Sequence, residues 1–563
     1  MRDGKSALAR QGLVVGAAAL LFLIGLGRVD LWAPDEPRYA QVAEEIRSFE
    51  RGPRGLVLLS LNGEVYDQKP PLYYWLAALA GSASDRVTET AARLPSALSG
   101  VAVVALTAVF GARLLGSTSG ALAAAMLATT GLFVHLTRRA QLDVLLTLCE
   151  GIALVAFWRI DRGIGSRRTN LWMMHAALGL GVLAKGPVGF VVPLLVMAVF
   201  LASERRLASL RGLFAWRHLA LSVLPGIVWI ALATLFAPDG FFQSAVVDNI
   251  YGRYLVGTSK VRPWHYLITV FPLGTLPWSV LWPVVAIVGS REVFAAGAPE
   301  EPRRAWRFLL VWAGTTLAFF TLSSGKRDLY LLTCYPAVAL LAADATVRAL
   351  RGREAIPQWI RIALAAAAAL LAIGSIVVAA APVLPNIDVP ASFALSMLAV
   401  LVGAALAVRA ARGGLAQTSL VVGTIFALEL VVFLLFFPAL EAEKSPRLVA
   451  ESAASLTVPG TPIGLVESQP LVGALAYYSG RRIEQIGPAE ELRRYFEEGG
   501  RVAVIREEAF ERAEAGAFAE VRARFRSGRR ALVVVTERAE VAAPEGTPQP
   551  SGVSDAGLGR AGG

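Results

Sequence analysis

Thirteen stretches of this chain are each apolar enough to be read as a membrane span, and that feature limits the fold more than any other. The hydrocarbon core is about 30 Å thick, so a helical span needs about 20 mostly apolar residues. In lipid only helices and closed barrels satisfy every backbone N–H and C=O. The stretches lie near 11–30, 92–115, 119–136, 141–158, 171–185, 187–203, 219–236, 266–288, 305–322, 329–347, 361–381, 392–409 and 415–437. The first lacks a small-residue cleavage site and reads as a retained helix. Of 563 residues 55% are hydrophobic and 17% charged, against about 25% charged in soluble domains. A disordered chain, a nucleic-acid-binding domain and an ordinary cytosolic enzyme are thereby excluded. The net charge of +11 is then assigned to cytoplasmic loops and to anionic lipid.

Arginines in short loops set the orientation. With the N-terminus in the cytoplasm, every even-to-odd connection is basic, as in Arg159, Arg162, Arg167 and Arg168, or Arg205, Arg206, Arg211 and Arg217. Thirteen spans put everything after residue 438 on the outer face. Residues 1–438 are expected to form the membrane domain, with outer loops at 31–91 and 237–265. The fold class is an all-α polytopic membrane protein with a small extracytoplasmic α/β domain over 439–542. Strands are expected at Thr461–Val466, Arg482–Ile486, Arg501–Ile505 and Arg530–Val535, and helices at Leu471–Ser479, Ala489–Glu498 and Glu507–Phe525. That alternation predicts a largely parallel sheet. The Gly-, Pro- and Ser-rich stretch 543–563 reads as a disordered tail.

The outer loops carry the chemistry. The first opens with Trp32-Ala-Pro-Asp35-Glu36-Pro37-Arg38-Tyr39. Tyr39, Val42, Ala43, Ile46 and Phe49 then recur at helical spacing, which predicts an amphipathic helix lying on the membrane. Asp35 is either the N-cap of that helix or an acid facing a cavity. The loop closes with Gln68-Lys69-Pro70-Pro71-Leu72-Tyr73-Tyr74-Trp75. Pro70 forces Lys69 into an extended conformation, off the following helix, and the aromatics suit an interfacial belt. Arg138-Arg139-Ala-Gln141-Leu-Asp143 begins the fourth span, where Arg139 could pair with Asp143. An ionisable group at that depth is a functional candidate. Lys185 closes the fifth span. Arg253-Tyr254 and Ser323-Ser324-Gly325-Lys326-Arg327-Asp328-Leu329-Tyr330 each set a cation beside a tyrosine, which suits a phosphate at the membrane surface. Cys149 and Cys334 sit in apolar stretches and make no disulfide framework. The four scattered histidines give no metal-ligand spacing.

In this order, the acidic pair, Lys-Pro-Pro-Leu-Tyr-Tyr-Trp, Arg-Arg-Ala-Gln-Leu-Asp, Leu-Ala-Lys-Gly-Pro at 183–187, Arg253-Tyr254 and Gly-Lys…Tyr330 resemble the GT-C glycosyltransferases of the dolichyl-phosphate-mannose protein mannosyltransferase superfamily. The nearest branch in pattern is the bacterial lipid A aminoarabinose transferases. The likeness covers residues 1–440 well and the tail only in layout. It departs at Pro37, where that branch has a small or polar residue, and at Thr333, where relatives have proline. The resemblance implies a polyprenyl-phosphate (undecaprenyl-phosphate) sugar donor, transfer with inversion to a glycolipid, glycan or protein acceptor, and a site on the periplasmic face of the bacterial inner membrane. It implies that Lys69, Arg253 and Tyr330, with Lys326, hold the donor phosphate. Asp35 would stand at the anomeric centre, supported by Asp143 and Glu36, with Arg138 and Lys185 as further candidates. No cofactor is required by the pattern, a divalent metal is left open, and nucleic acid is not a partner. The alternative is a multi-pass transporter or flippase of lipid-linked sugars, whose charges would lie near the midplane.

Overall fold

The structure, a computed structural model, describes residues 2–256, 261–294, 299–351, 414–528 and 530–538, with short pieces at 397–398, 401–402 and 405. Every apolar stretch within those residues carries helix. The stretches 361–381 and most of 392–409, and the tail 543–563, lie outside them.

In chain order the helices are α1 (Arg2–Leu23), α2 (Asp35–Arg47), α3 (Pro53–Val57), α4 (Leu72–Gly81), α5 (Glu89–Leu115), α6 (Ser117–Ala128), α7 (Gly131–Thr137) and α8 (Leu142–Asp161). They continue with α9 (Arg167–Lys185), α10 (Val188–Ser203), α11 (Trp216–Phe236), α12 (Tyr266–Gly274), α13 (Trp282–Phe294), α14 (Glu300–Leu322), α15 (Tyr335–Leu350) and α16 (Gly414–Val431). Five described helical segments are long and apolar enough to cross a membrane, or seven if each of two bent pairs is one span. α10 has only 16 residues, and α8 carries buried Asp143 and Glu150. The groups that spoil apolarity are thus partly those that carry chemistry. The bundle shares one core, and α9 meets α10 backbone to backbone. A Cβ on Gly189 would lie 2.3 Å from Gly181, so only glycine permits this approach.

The tail adds α17 (Arg447–Ser455), β3 (Ile463–Val466), α18 (Val472–Ser479), β4 (Ile483–Ile486), α19 (Leu492–Glu497), β5 (Val502–Arg506), α20 (Glu507–Arg512), β6 (Ala519–Ser527) and β7 (Arg530–Glu537). The small hairpin β1 (Ser60–Leu61) and β2 (Glu64–Val65) belongs to the first outer loop. The tail sheet runs β4-β3-β5-β7-β6. Its first three strands are parallel, and β7 and β6 are antiparallel. The expected long helix over 507–525 stops at Arg512, and 519–527 is a strand. Ala, Glu and Arg favour helix there. However, Ala519-Glu-Val-Arg-Ala-Arg-Phe-Arg alternates with period two, and the alternating burial follows it.

The first loop and the tail form a second core. Helix α2 buries Tyr39, Val42, Ala43 and Ile46 with Val449, Leu471, Val472 and Leu475 of the tail. Its apolar face is therefore covered by protein and not laid on lipid. Tyr73 and Tyr74 are likewise no belt. Both are fully buried, with the Tyr73 hydroxyl 2.9 Å from the Ala92 carbonyl and the Tyr74 hydroxyl 3.2 Å from that of Tyr66.

Candidate active site

One cavity of about 1000 Å³ lies where one end of the bundle meets the first loop and the tail domain. Asp35, Lys69, Asp143, Lys185 and Tyr330 all line it. Leu142, Val188, Val191, Phe319, Phe320 and Leu329 are among its apolar lining residues. Asn62, Gln68, Asn249, Gln469 and Gln485 are carboxamide residues of the same lining.

Asp35 opens α2, but Pro34 takes the N-cap position and makes no side-chain cap bond. The Asp35 carboxylate instead pairs with Arg38 on one oxygen and with Arg327 at 2.9 Å on the other. Burial favours its neutral form, but Arg327, then Arg38 and Lys69, outweigh burial and hold its pKa below the usual value. Asp143, at the start of α8, pairs with Lys185 rather than Arg139. The Lys185 ammonium lies 4.3 Å from the Tyr330 ring centre. The cavity lining thus holds four cations, Arg38, Lys69, Lys185 and Arg327, and four carboxylates, Asp35, Glu64, Asp67 and Asp143, with Arg38 and Arg327 on Asp35 and Lys185 on Asp143.

Glu36 points away from this cavity. It is 1% exposed and accepts from Arg93 Nε at 2.8 Å, the Ala140 N–H at 3.0 Å and the Trp32 N–H at 3.2 Å. Arg93 also donates to the carbonyls of Leu26, Val29 and Asp30. Burial raises the Glu36 pKa, but Arg93, Arg139 and these bonds bring it to about 2. The pair locks α2 to α5 and to the end of α1. Arg138 donates to the carbonyls of Leu21 and Ile24 and covers the Phe433 ring. Lys326 is buried, its ammonium donating to the carbonyl of Ser323. Arg253 lies on the helical segment Gln243–Val256, which shares Asn249 with the cavity lining; its side chain is outside the described residues. That segment is tied to the first loop through Ser244 and Asp67.

Sequence reasoning named Lys326 and passed over Arg327. The backbone at Arg327 is extended (φ −134°, ψ 142°), and successive side chains of an extended segment point to opposite sides. Of two adjacent cations only one reaches the cavity, and the motif does not say which. Arg93, which has no motif around it, gave no signal. Among the described residues no group of three or more His, Cys, Asp or Glu is placed to hold a metal ion. Cys149 and Cys334 are buried free thiols.

Comparison with known proteins supports the resemblance read from the motifs. A family model described as dolichyl-phosphate-mannose-protein mannosyltransferase matches residues 13–239. The chain is 31% identical over 357 residues to undecaprenyl phosphate-alpha-4-amino-4-deoxy-L-arabinose arabinosyl transferase 1 of Pseudomonas fluorescens, a match covering 61% of this chain and 58% of that protein. It is also 31% identical over 354 residues to the transferase of Pseudomonas aeruginosa, covering 60% of each. The chain thus spans about three fifths of the length of these relatives. In structure it is similar to ArnT from Cupriavidus metallidurans bound to undecaprenyl phosphate, with a TM-score of 0.75 at 22% identity, over 93% of this chain and 97% of that one. The archaeal oligosaccharyltransferase AglB of Archaeoglobus fulgidus matches with a TM-score of 0.51 at 12% identity, over 90% of this chain and 70% of that one. The chain shares the fold of these solved structures.

Proposed function

We propose that this GT-C chain transfers a sugar from a polyprenyl-phosphate donor to an acceptor at the outer face of the inner membrane, with inversion at the anomeric carbon. The observation that carries the reading is the single cavity that Asp35, Lys69, Asp143, Lys185 and Tyr330 line together with apolar and carboxamide residues. The polyprenyl chain lies along the apolar residues and the phosphate among the cations. The bond from the anomeric carbon to the phosphate oxygen breaks, and its electron pair stays on the phosphate. Lys69 and Tyr330, joined by Arg253, Arg327 and Arg38, stabilise that developing charge. Asp35 faces the anomeric centre, where positive charge gathers as the bond opens. Lys185 pairs with Asp143 beside it. Glu36, Arg138 and Lys326 act through the backbone they fix, as positioning residues.

The depressed pKa of Asp35 bears on the acceptor. A carboxylate held well below neutral pH is a weak general base. It suits an acceptor that is already an anion, such as a phosphate of a lipid A-type glycolipid, better than a neutral hydroxyl. Transport is the weaker reading, because the charges share a cavity with the tail domain and do not sit at mid-bundle. Membranes containing the chain, given labelled undecaprenyl-phosphate sugars, should yield labelled glycolipid. Label that crosses the bilayer but stays on its carrier would replace transfer with transport.

A further inference from the structure

The tail domain does more than anchor the first loop, because it supplies part of the cavity wall. Gln469 follows β3 and Gln485 lies on β4, and both line the cavity. β3 and β4 are adjacent and parallel, with Val466 opposite Ile486, so the two glutamines stand at neighbouring carboxyl ends. Open α/β sheets bind ligands at those ends. Both side chains are exposed, and among the described residues neither carboxamide has a hydrogen-bond partner.

Their position is fixed from the membrane side. The Asn62 side chain donates to the Ile483 carbonyl and accepts from its N–H, both at 2.7 Å, two residues before Gln485. The Leu31 N–H donates to the Tyr478 hydroxyl at 2.6 Å. Gly473 rests on the backbone of Arg38, where a Cβ would come within 2.6 Å of the Arg38 Cα. The segment that presents Gln469 is therefore seated on the helix that presents Asp35.

We propose that Gln469 and Gln485 read the hydroxyl pattern of the transferred sugar, so that the tail domain sets donor-sugar specificity. The proposal rests on the glycosyl-transfer reading above. Asn62, Gln68 and Asn249, the other carboxamides of the lining, are already bonded to Ile483, Arg38 and the Asp67 and Ser244 carbonyls, which leaves these two amides open to the sugar. A carboxamide offers a donor and an acceptor, matching a hydroxyl that is both, and carries no charge to compete for the phosphate. A site built on such bonds rejects a sugar that lacks the hydroxyl.

The test uses the full chain in lipid nanodiscs with undecaprenyl-phosphate sugars and their single-deoxy analogues. Gln469→Ala and Gln485→Ala should each lower kcat/KM for the preferred donor roughly three- to tenfold. Each should also erase discrimination against one deoxy analogue, while affinity for undecaprenyl phosphate alone stays as in the wild type. Variants that keep both rate and discrimination overturn the proposal. So do variants that lose undecaprenyl-phosphate affinity in step with rate, since the domain would then be acting only as a support. A wild-type chain that transfers none of the sugars defeats the transfer reading itself, and this proposal with it.

Discussion

Replacing Glu36 by Gln removes one charge and almost no volume, and it separates a structural from a chemical role for the acidic pair. The Glu36 carboxylate is 1% exposed and its pKa falls from 4.5 to about 2 on folding. At 1.36 kcal/mol per unit, that difference corresponds to about 3 kcal/mol of stability. Because the folded value is the lower one, this stability is fully present above about pH 4.5 and is lost as pH falls toward 2. Breaking one side of a buried ion pair costs about 3–5 kcal/mol, so the two routes agree. Glu36→Gln also turns an amide NH2 toward donors that need an acceptor, Arg93, Ala140 N–H and Trp32 N–H. Unfolding of the purified chain, followed by tryptophan fluorescence in detergent, should show a loss of about 3 kcal/mol at pH 7. The gap between wild type and variant should close as the pH is lowered toward 2. Transfer per folded molecule should be largely kept. A variant of wild-type stability that transfers nothing would refute this reasoning and put Glu36 at the reaction centre.

Asp35→Asn should abolish transfer per folded molecule, with a stability loss that comes from Arg38 and Arg327 and none from a cap, since the carboxylate caps nothing in α2; an active variant would remove Asp35 from the chemistry. Lys69→Ala should weaken undecaprenyl-phosphate binding, measured by retention on the purified chain, with little change in unfolding midpoint. Gly473→Ala should push the tail domain off Arg38, lowering stability and kcat together and raising protease sensitivity of the tail; an unaffected variant would mean the contact yields at no cost. A cysteine placed at Gly499 should react with an impermeant thiol reagent added to spheroplasts. Protection until the membrane is permeabilised would reverse the proposed orientation.

The helical membrane domain was legible because lipid leaves no alternative to it, and the tail strands at 463–466, 502–506 and 530–537 were legible because each holds a short apolar run; the strand at 483–486, Ile-Glu-Gln-Ile, was legible from its place in the alternation of strand and helix. What misled was which surface an apolar face meets. The spacing of Tyr39, Val42, Ala43 and Ile46 shows that α2 has one buried face. Nothing local says that its cover is a helix more than 400 residues later rather than lipid. The same limit hid the partner of Asp143: Arg139 is the neighbour in sequence, and Lys185 is the neighbour in space. Asp35, Lys69 and Tyr330 were found because motifs marked them. Arg327 and Arg93 emerged only once distant segments were brought together.

The bond between Asn62 and Ile483 spans 421 residues, and this gives the molecule a timetable. Ribosomes add about 5–20 residues per second, so the first outer loop is made roughly 20 to 80 s before the strand that will grip it. During that interval Asn62 has no edge to bind, and the face of α2 that will receive the tail stays bare. The later helices of the membrane domain must be threaded into the bilayer while this half-finished surface waits outside it. A tail truncated before α17 would leave that surface without the residues that cover it. Assembly of the cavity thus waits for Gln469 and Gln485, and a partly synthesised molecule has most of its membrane domain before it has a complete cavity.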